Sequence, residues 1–240
     1  MGLSIGFNLE APPGTDKAGA KEIIRQLRRR ALRYRSAGRV DEVFPLRQDD
    51  SRLRRGRIWR FITLEGWHTP RAEVELAPLE GFVVAVEVGE DCEALWLGLC
   101  RYPLTMLVDG RRKRTGLHGW RWEGFCKTQY SSLHGWTHFR RCHLAVLGLL
   151  DAARRLGCRV EISDDGEYWP GRNEAALRQN VEEMNRAVAG MAGALRDFDG
   201  EKGAAGVQSP IFAHPQFEHL EAEGAAQGPV AGLRKSLPSR

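Results

Sequence analysis

No apolar run in this 240-residue chain approaches the length of a membrane helix. The longest, Leu144 to Leu150, is far short of the ~18 residues needed. The opening "MGLSIGFNLEAPPG" lacks the basic start and apolar stretch of a secretory signal, and Gly6 stands where a myristoylation signal requires Ser or Thr. The expected location is therefore the cytoplasm, and no membrane association is expected. Cysteine is scarce as well: the five residues, at 92, 100, 126, 142 and 158, form no CxxC pair, and an odd count cannot be fully paired. Reduced thiols follow, with Cys100, Cys142 and Cys158 among apolar neighbours as core residues. An RNP motif, helix-turn-helix spacing, a calcium loop and a cysteine-hydrolase signature are all missing, so no motif fixes a reaction.

What the chain does have is an uneven charge. Residues 1–120 carry 21 Lys+Arg against 16 Asp+Glu, and residues 121–240 carry 15 of each. The excess is concentrated in "RQLRRRALRYR", "RLRRGRIWR" and "GRRKR". Arg54, Arg55 and Arg57 with the stacking ring of Trp59 make nucleic-acid binding the alternative functional reading, using a surface made of residues 25–35, 52–60 and 111–114. The blander reading is solvation. The arginines of the first helix are simply its polar face unless other basic segments converge on it, and "GRRKR" reads as an exposed loop.

The pattern along the chain begins with a strand, "LSIGFNLEA", closed by Pro12, Pro13 and Gly14. A helix capped by Thr15 or Asp16 follows, with Ala20, Ile23, Ile24, Leu27, Ala31 and Tyr34 on one stripe. Strands are expected at "RVDEVFPLR" and "RIWRFITLE", a hairpin over "RAEVELAPLEGFVVAVEV", and further strands at "ALWLGLC" and "WRWEGFC". The apolar faces of "ALWLGLC" place it centrally in a sheet. A helix from about residue 137 to 156 buries Phe139, Cys142, His143, Val146, Leu149, Leu150 and Ala153, and Gly157 ends it. The strand "CRVEIS", the turn "DDGEYWPG" and a helix over 173–198 complete the domain.

This order predicts an α+β fold: a mixed, mainly antiparallel sheet with helices packed on it, of which a ferredoxin-like βαβ-βαβ core with an inserted hairpin is one form. Residues 1–199 are expected to form one domain. Residues 200–240 read as a mostly disordered Gly/Ala/Pro-rich tail, contributing little to folding apart from 209–224, where Ile211, Phe212, Phe217 and Leu220 could dock.

The stretch "GFCKTQYSSLHGWTHFRRCH" carries the densest chemistry. A strand that runs into a helix presents amides that attract anions, so a polar or anionic small ligand is expected at residues 126–138, facing the loop 164–172. Its expected contacts are Lys127, Gln129, Tyr130, His138, Asp164, Glu167 and Arg172. If the site is catalytic, Cys126 is the nucleophile and His134 or His138 its base. His134, His138 and Cys142 follow one another at four-residue intervals. On one helix, however, the outer two are separated by a rise of ~12 Å, too far to share a zinc ion. Neither a metal nor another cofactor is expected. The competing reading of Asp164, Asp165 and Glu167 is a solvated turn, and of His143 a buried, hydrogen-bonded core residue. Seven tryptophans and the twice-used "LHGW" suggest either pocket walls or plain packing.

Overall fold

The structure, a computed structural model, describes residues 3–45, 60–64, 72–108, 110–202 and 208–227. The chain order is β1 (Ser4–Glu10), α1 (Lys17–Ser36), β2 (Glu42–Val43), β3 (Arg60–Leu64), β4 (Ala72–Leu76), β5 (Glu80–Glu87), β6 (Leu95–Arg101), β7 (Thr105–Val108), β8 (Arg111–Arg114) and β9 (Trp120–Lys127). A 3-10 segment (Gln129–His134) then leads into α2 (Trp136–Arg155), β10 (Arg159–Asp164), α3 (Glu174–Lys202), a 3-10 turn (Pro210–Ala213) and α4 (Phe217–Gln227).

Six strands form the main sheet in the order β10-β1-β9-β6-β5-β2, every neighbouring pair antiparallel. The fold is α+β, and the sheet is wider than a four-stranded ferredoxin-like core. Strand β1 alternates because only one of its faces meets the core: Ile5, Phe7 and Leu9 are buried and the residues between them are not. Strands β5 and β6 are apolar on both faces and lie between neighbours, where neither face meets water.

That demand corrects one expectation. The hairpin over residues 71–88 does not pair with itself: β4 pairs with β3 in a separate two-stranded sheet, while β5 pairs with β6. The run "FVVAV" is buried on both faces, and it lies inside the main sheet, paired with β6 along one edge and β2 along the other. The "RRKR" run likewise forms β8, paired with β7, rather than a loop. Among the described residues of "RVDEVFPLR", Glu42–Val43 joins the sheet, just before Pro45.

Helix α1 starts at Asp16, whose carboxylate accepts from the Gly19 amide at 2.7 Å. It buries Ala20, Ile24, Leu27, Ala31 and Tyr34. Helix α2 packs beside it, antiparallel, and the contact is close. A Cβ at Gly148 would lie 2.5 Å from the Tyr34 hydroxyl, so the lack of a side chain at 148 is what admits the tyrosine. Gly157 (φ 87°) then turns the chain out of α2 into β10, a backbone region that favours glycine.

Helix α4 lies along α3 through another close approach: a Cβ on Gly224 would fall 2.1 Å from the Arg186 carbonyl oxygen. Ile211, Phe217 and Leu220 are buried there against Val188, Ala189 and Ala192, with Phe212 edge-on to Phe217 at 5.1 Å. Residues 208–227 thus add a small apolar core of their own. Phe217→Ala should lower unfolding free energy by about 3 kcal/mol, in the usual range for removing a packed phenylalanine. Chemical denaturation checks this, and an unchanged midpoint would show that the segment does not contribute to folding.

Candidate functional site

The expected ligand segment lies at one end of the sheet, on both sides of the start of β1. In β1, Ser4 pairs with Lys127 of β9, and Ile5 pairs with both Cys126 of β9 and Asp164 of β10. The two segments therefore reach the same end of the molecule, and buried side chains connect them. The Thr128 hydroxyl is 3.0 Å from His143 Nδ1, and His143 Nε2 is 3.0 Å from Asp164 Oδ1. The second contact is close but off the axis of a straight hydrogen bond. Asp164 also accepts from the Gly166 and Trp169 amides, at 2.9 Å each. Thr128 and His143 are fully buried, as is the Asp164 side chain.

A hydroxyl, an imidazole and a carboxylate in this order have the arrangement of a nucleophile, its base and the group that orients the base. Here no face of the triad is open to a substrate, so its role is to satisfy polar groups inside the core. Burial opposes the charge on Asp164, but the His143 contact and the two amides outweigh it and hold the carboxyl below its ordinary range.

Helix α3 covers the space between the two segments. Asn185 accepts from Gln129 Nε2 at 3.1 Å and donates to the Ser132 hydroxyl at 2.9 Å, while Asn180 donates to the Gly166 carbonyl at 3.1 Å. Leu177 and Val181 pack with Leu3 and Phe139, and Tyr168 lies alongside. Gln129 is itself fully buried, its Oε1 accepting from the Leu3 amide.

The remaining expected residues point elsewhere. Lys127 lies over the Tyr130 ring at 5.2 Å. His134 meets Asp91 at 2.8 Å, and His138 meets the Glu90 carbonyl at 3.3 Å, both on the loop between β5 and β6. Glu167 is exposed in a positive-φ turn. Arg172 pairs with Asp151 of α2 at 2.5 Å and lies over Trp169. Cys126 is fully buried, its thiol donating to the Glu93 carbonyl at 3.2 Å, and burial pushes its pKa up so that it stays protonated. Arg54, Arg55, Arg57 and Trp59 lie outside the described residues.

A different site opens on the outer side of the helix layer. Gln26, Arg29, Arg30 and Arg33 of α1 face Ala152, Arg155 and Leu156 at the end of α2 around a cavity of about 380 Å³. Four of these seven lining residues are arginines and none is acidic. Arg29 pairs with Glu22 at 2.5 Å, whereas Arg33 and Arg155 have no ion-pair partner among the described residues. Arg30 lies over the Tyr34 ring at 4.9 Å, and its Nε is buried without a hydrogen-bond acceptor.

Positions 26, 29, 30 and 33 form one stripe of α1 with a rise of ~10 Å between its ends. The arginines of α1 were expected to be a solvated face unless other basic segments converged on them; Arg155, outside the segments named for that surface, was not among the residues the sequence pointed to.

Comparison with protein-family models, with curated proteins and with solved structures finds no match.

The buried triad generates a pH-dependent prediction. The Asp164 pKa is depressed in the folded protein, so its contribution to stability is complete above the unfolded value, near 4, and is lost as pH falls through the lower folded value. Asp164→Asn should therefore destabilise most at neutral pH, and its deficit should shrink toward pH 2 in denaturation curves. A deficit that stays constant with pH would show that the carboxylate's charge is not what matters.

Proposed function

We propose that this protein binds phosphate-rich anions in the arginine-lined cavity between α1 and α2. One observation carries the reading: four arginines line a single cavity that holds no carboxylate. Guanidinium groups suit phosphate because their fixed planar donors can engage two oxygens at once. A stripe ~10 Å long spans two or three linked phosphates rather than one.

A second reading extends the first to nucleic acid. In the β7–β8 hairpin, Leu107 is opposite Arg112 and Thr105 opposite Arg114, and all four are exposed. Leu107 is 70% exposed, so this face joins two cations with an uncovered apolar side chain. Paired strands with such a surface can lie along a nucleic-acid backbone, with affinity that falls steeply as salt rises.

The test uses inorganic triphosphate in a thermal-shift titration at constant ionic strength. Triphosphate at ~100 times its Kd should stabilise the protein by about 2.7 kcal/mol. In the double variant Arg33→Gln, Arg155→Gln, affinity should fall roughly tenfold or more for each arginine removed. Equal stabilisation of both proteins would exclude this cavity as the site. A single-stranded oligonucleotide that binds far more tightly than triphosphate, and loses affinity in Arg112→Gln, Arg114→Gln, would favour the second reading.

A further inference from the structure

Strand β10 ends the main sheet on one side, and the direction of its backbone groups follows from the bonds around β1. The Leu3 carbonyl accepts from the Thr128 amide and the Ala11 amide donates to the Trp120 carbonyl, so odd-numbered residues along β1 bond to β9. The Ser4 carbonyl accepts from the Asp165 amide, so even-numbered residues bond to the β10 side. Bonding residues alternate along an antiparallel pair. Arg159, Glu161 and Ser163 therefore turn their amides and carbonyls toward β1, and Val160, Ile162 and Asp164 turn theirs outward. Asp164 shows this directly: its side chain is fully buried yet the residue is partly exposed, so what meets solvent is its backbone.

An outward row of unpaired backbone groups is a template for another strand. Among the described residues, nothing bonds to the outward groups of Val160 and Ile162. Several devices that blunt an edge are missing from β10: it has no proline or lysine, and its six pairs with β1 run without a bulge. Its side chains divide by face. Val160 and Ile162 pack against the core, while Arg159, Glu161 and Ser163 are exposed on the opposite face.

We propose that this edge pairs with the β10 edge of a second copy of the chain, antiparallel about a two-fold axis at Val160. Charge selects both the partner and the register. With the two Val160 residues opposite each other, Arg159 of each copy stands opposite Glu161 of the other, at the closer, non-hydrogen-bonded positions of the ladder. Arg159 and Glu161 already meet at 2.6 Å within one chain, so the four side chains form a square of alternating sign. A pairing centred on Glu161 sets two carboxylates against each other, and one centred on Ile162 sets Glu161 against Ser163 and leaves its charge without a cross-strand partner. In the proposed register the two Val160 residues exchange both backbone bonds, and each Ile162 amide reaches the other copy's Cys158 carbonyl. The Cys158 amide is already taken by the Ala153 carbonyl of α2 at 3.1 Å. The two sheets join into one, with both helix layers on the same side.

The experiment is analytical ultracentrifugation of the full-length protein over a concentration series, alongside Arg159→Glu, Glu161→Arg and an equimolar mixture of the two variants. Both side chains are exposed, and circular dichroism checks that each variant keeps the fold. The wild type should approach twice its 27.0 kDa monomer mass as concentration rises. Each variant alone sets like charges against each other and should stay monomeric. The mixture should regain the dimer, because the two glutamates of one chain then face the two arginines of the other. The contact within one chain cannot produce that rescue, since neither variant retains it. In the wild type, deuterium exchange at the Val160 and Ile162 amides should slow as the dimer forms, which identifies the edge without any substitution. A wild type that stays monomeric up to its solubility limit, a dimer whose Val160 and Ile162 amides exchange as fast as the monomer's, or a mixture of folded variants that stays monomeric would each overturn the proposal.

Discussion

The fold depends on keeping polar groups satisfied where β1 enters the sheet between β9 and β10. At that point the backbone of Leu3 has both its groups bonded, its amide to the Gln129 side chain and its carbonyl to the Thr128 amide. Ser4 is held in the same way, with Asp165 accepting from its amide and its hydroxyl. Thr128, His143 and Asp164 continue this network through the interior, joining the ends of β9 and β10 to α2. Most of these groups have partners because the low-dielectric interior makes an unpaired one costly. The network is thus the price of running the first strand through the middle of the sheet, and α3 closes over it through Asn180 and Asn185.

Closing that end leaves the outer surface of the helix layer to face solvent. There, α1 and α2 approach closely at Tyr34 and Gly148, and the divergence of their side chains toward the other end of the pair leaves a cavity whose rim is arginine. The contrast between the two regions is physical. At the junction most polar side-chain atoms are drawn into protein–protein bonds, whereas in the helix groove Arg33 and Arg155 have no ion-pair partner among the described residues. Ligand binding is favoured where a donor has something to gain, which sets the partner-poor arginines of the groove apart from the chemistry-rich junction.

Much of the architecture was legible because it follows from periodicity. The stripe Ala20, Ile24, Leu27, Ala31 and Tyr34 is the buried face of α1, and Phe139, Cys142, His143, Val146, Leu149, Leu150 and Ala153 are buried along α2. The central position of β6 followed from its apolar faces. The hairpin over residues 71–88 was misread for a reason equally physical. Alternation marks a strand but not its neighbour, and "FVVAV", buried on both faces, pairs inside the main sheet rather than with β4.

For the site, the sequence by itself determined which side chains carry charge or a titratable group, and which helical faces hold them, since both depend only on residue type and local spacing. Only the tertiary structure decided which of them have partners. Gln129 is consumed by bonds to Leu3 and Asn185, 126 and 56 positions away, Asp164 meets His143 of α2 from outside its own turn, and Arg155 reaches the α1 arginines across more than a hundred residues of chain. Hydrogen bonds and ion pairs act over a few ångströms of space whatever the distance along the chain. Local patterns therefore report a side chain's chemistry, and the packing of distant segments fixes whether that chemistry is spent inside the protein or left available to a ligand.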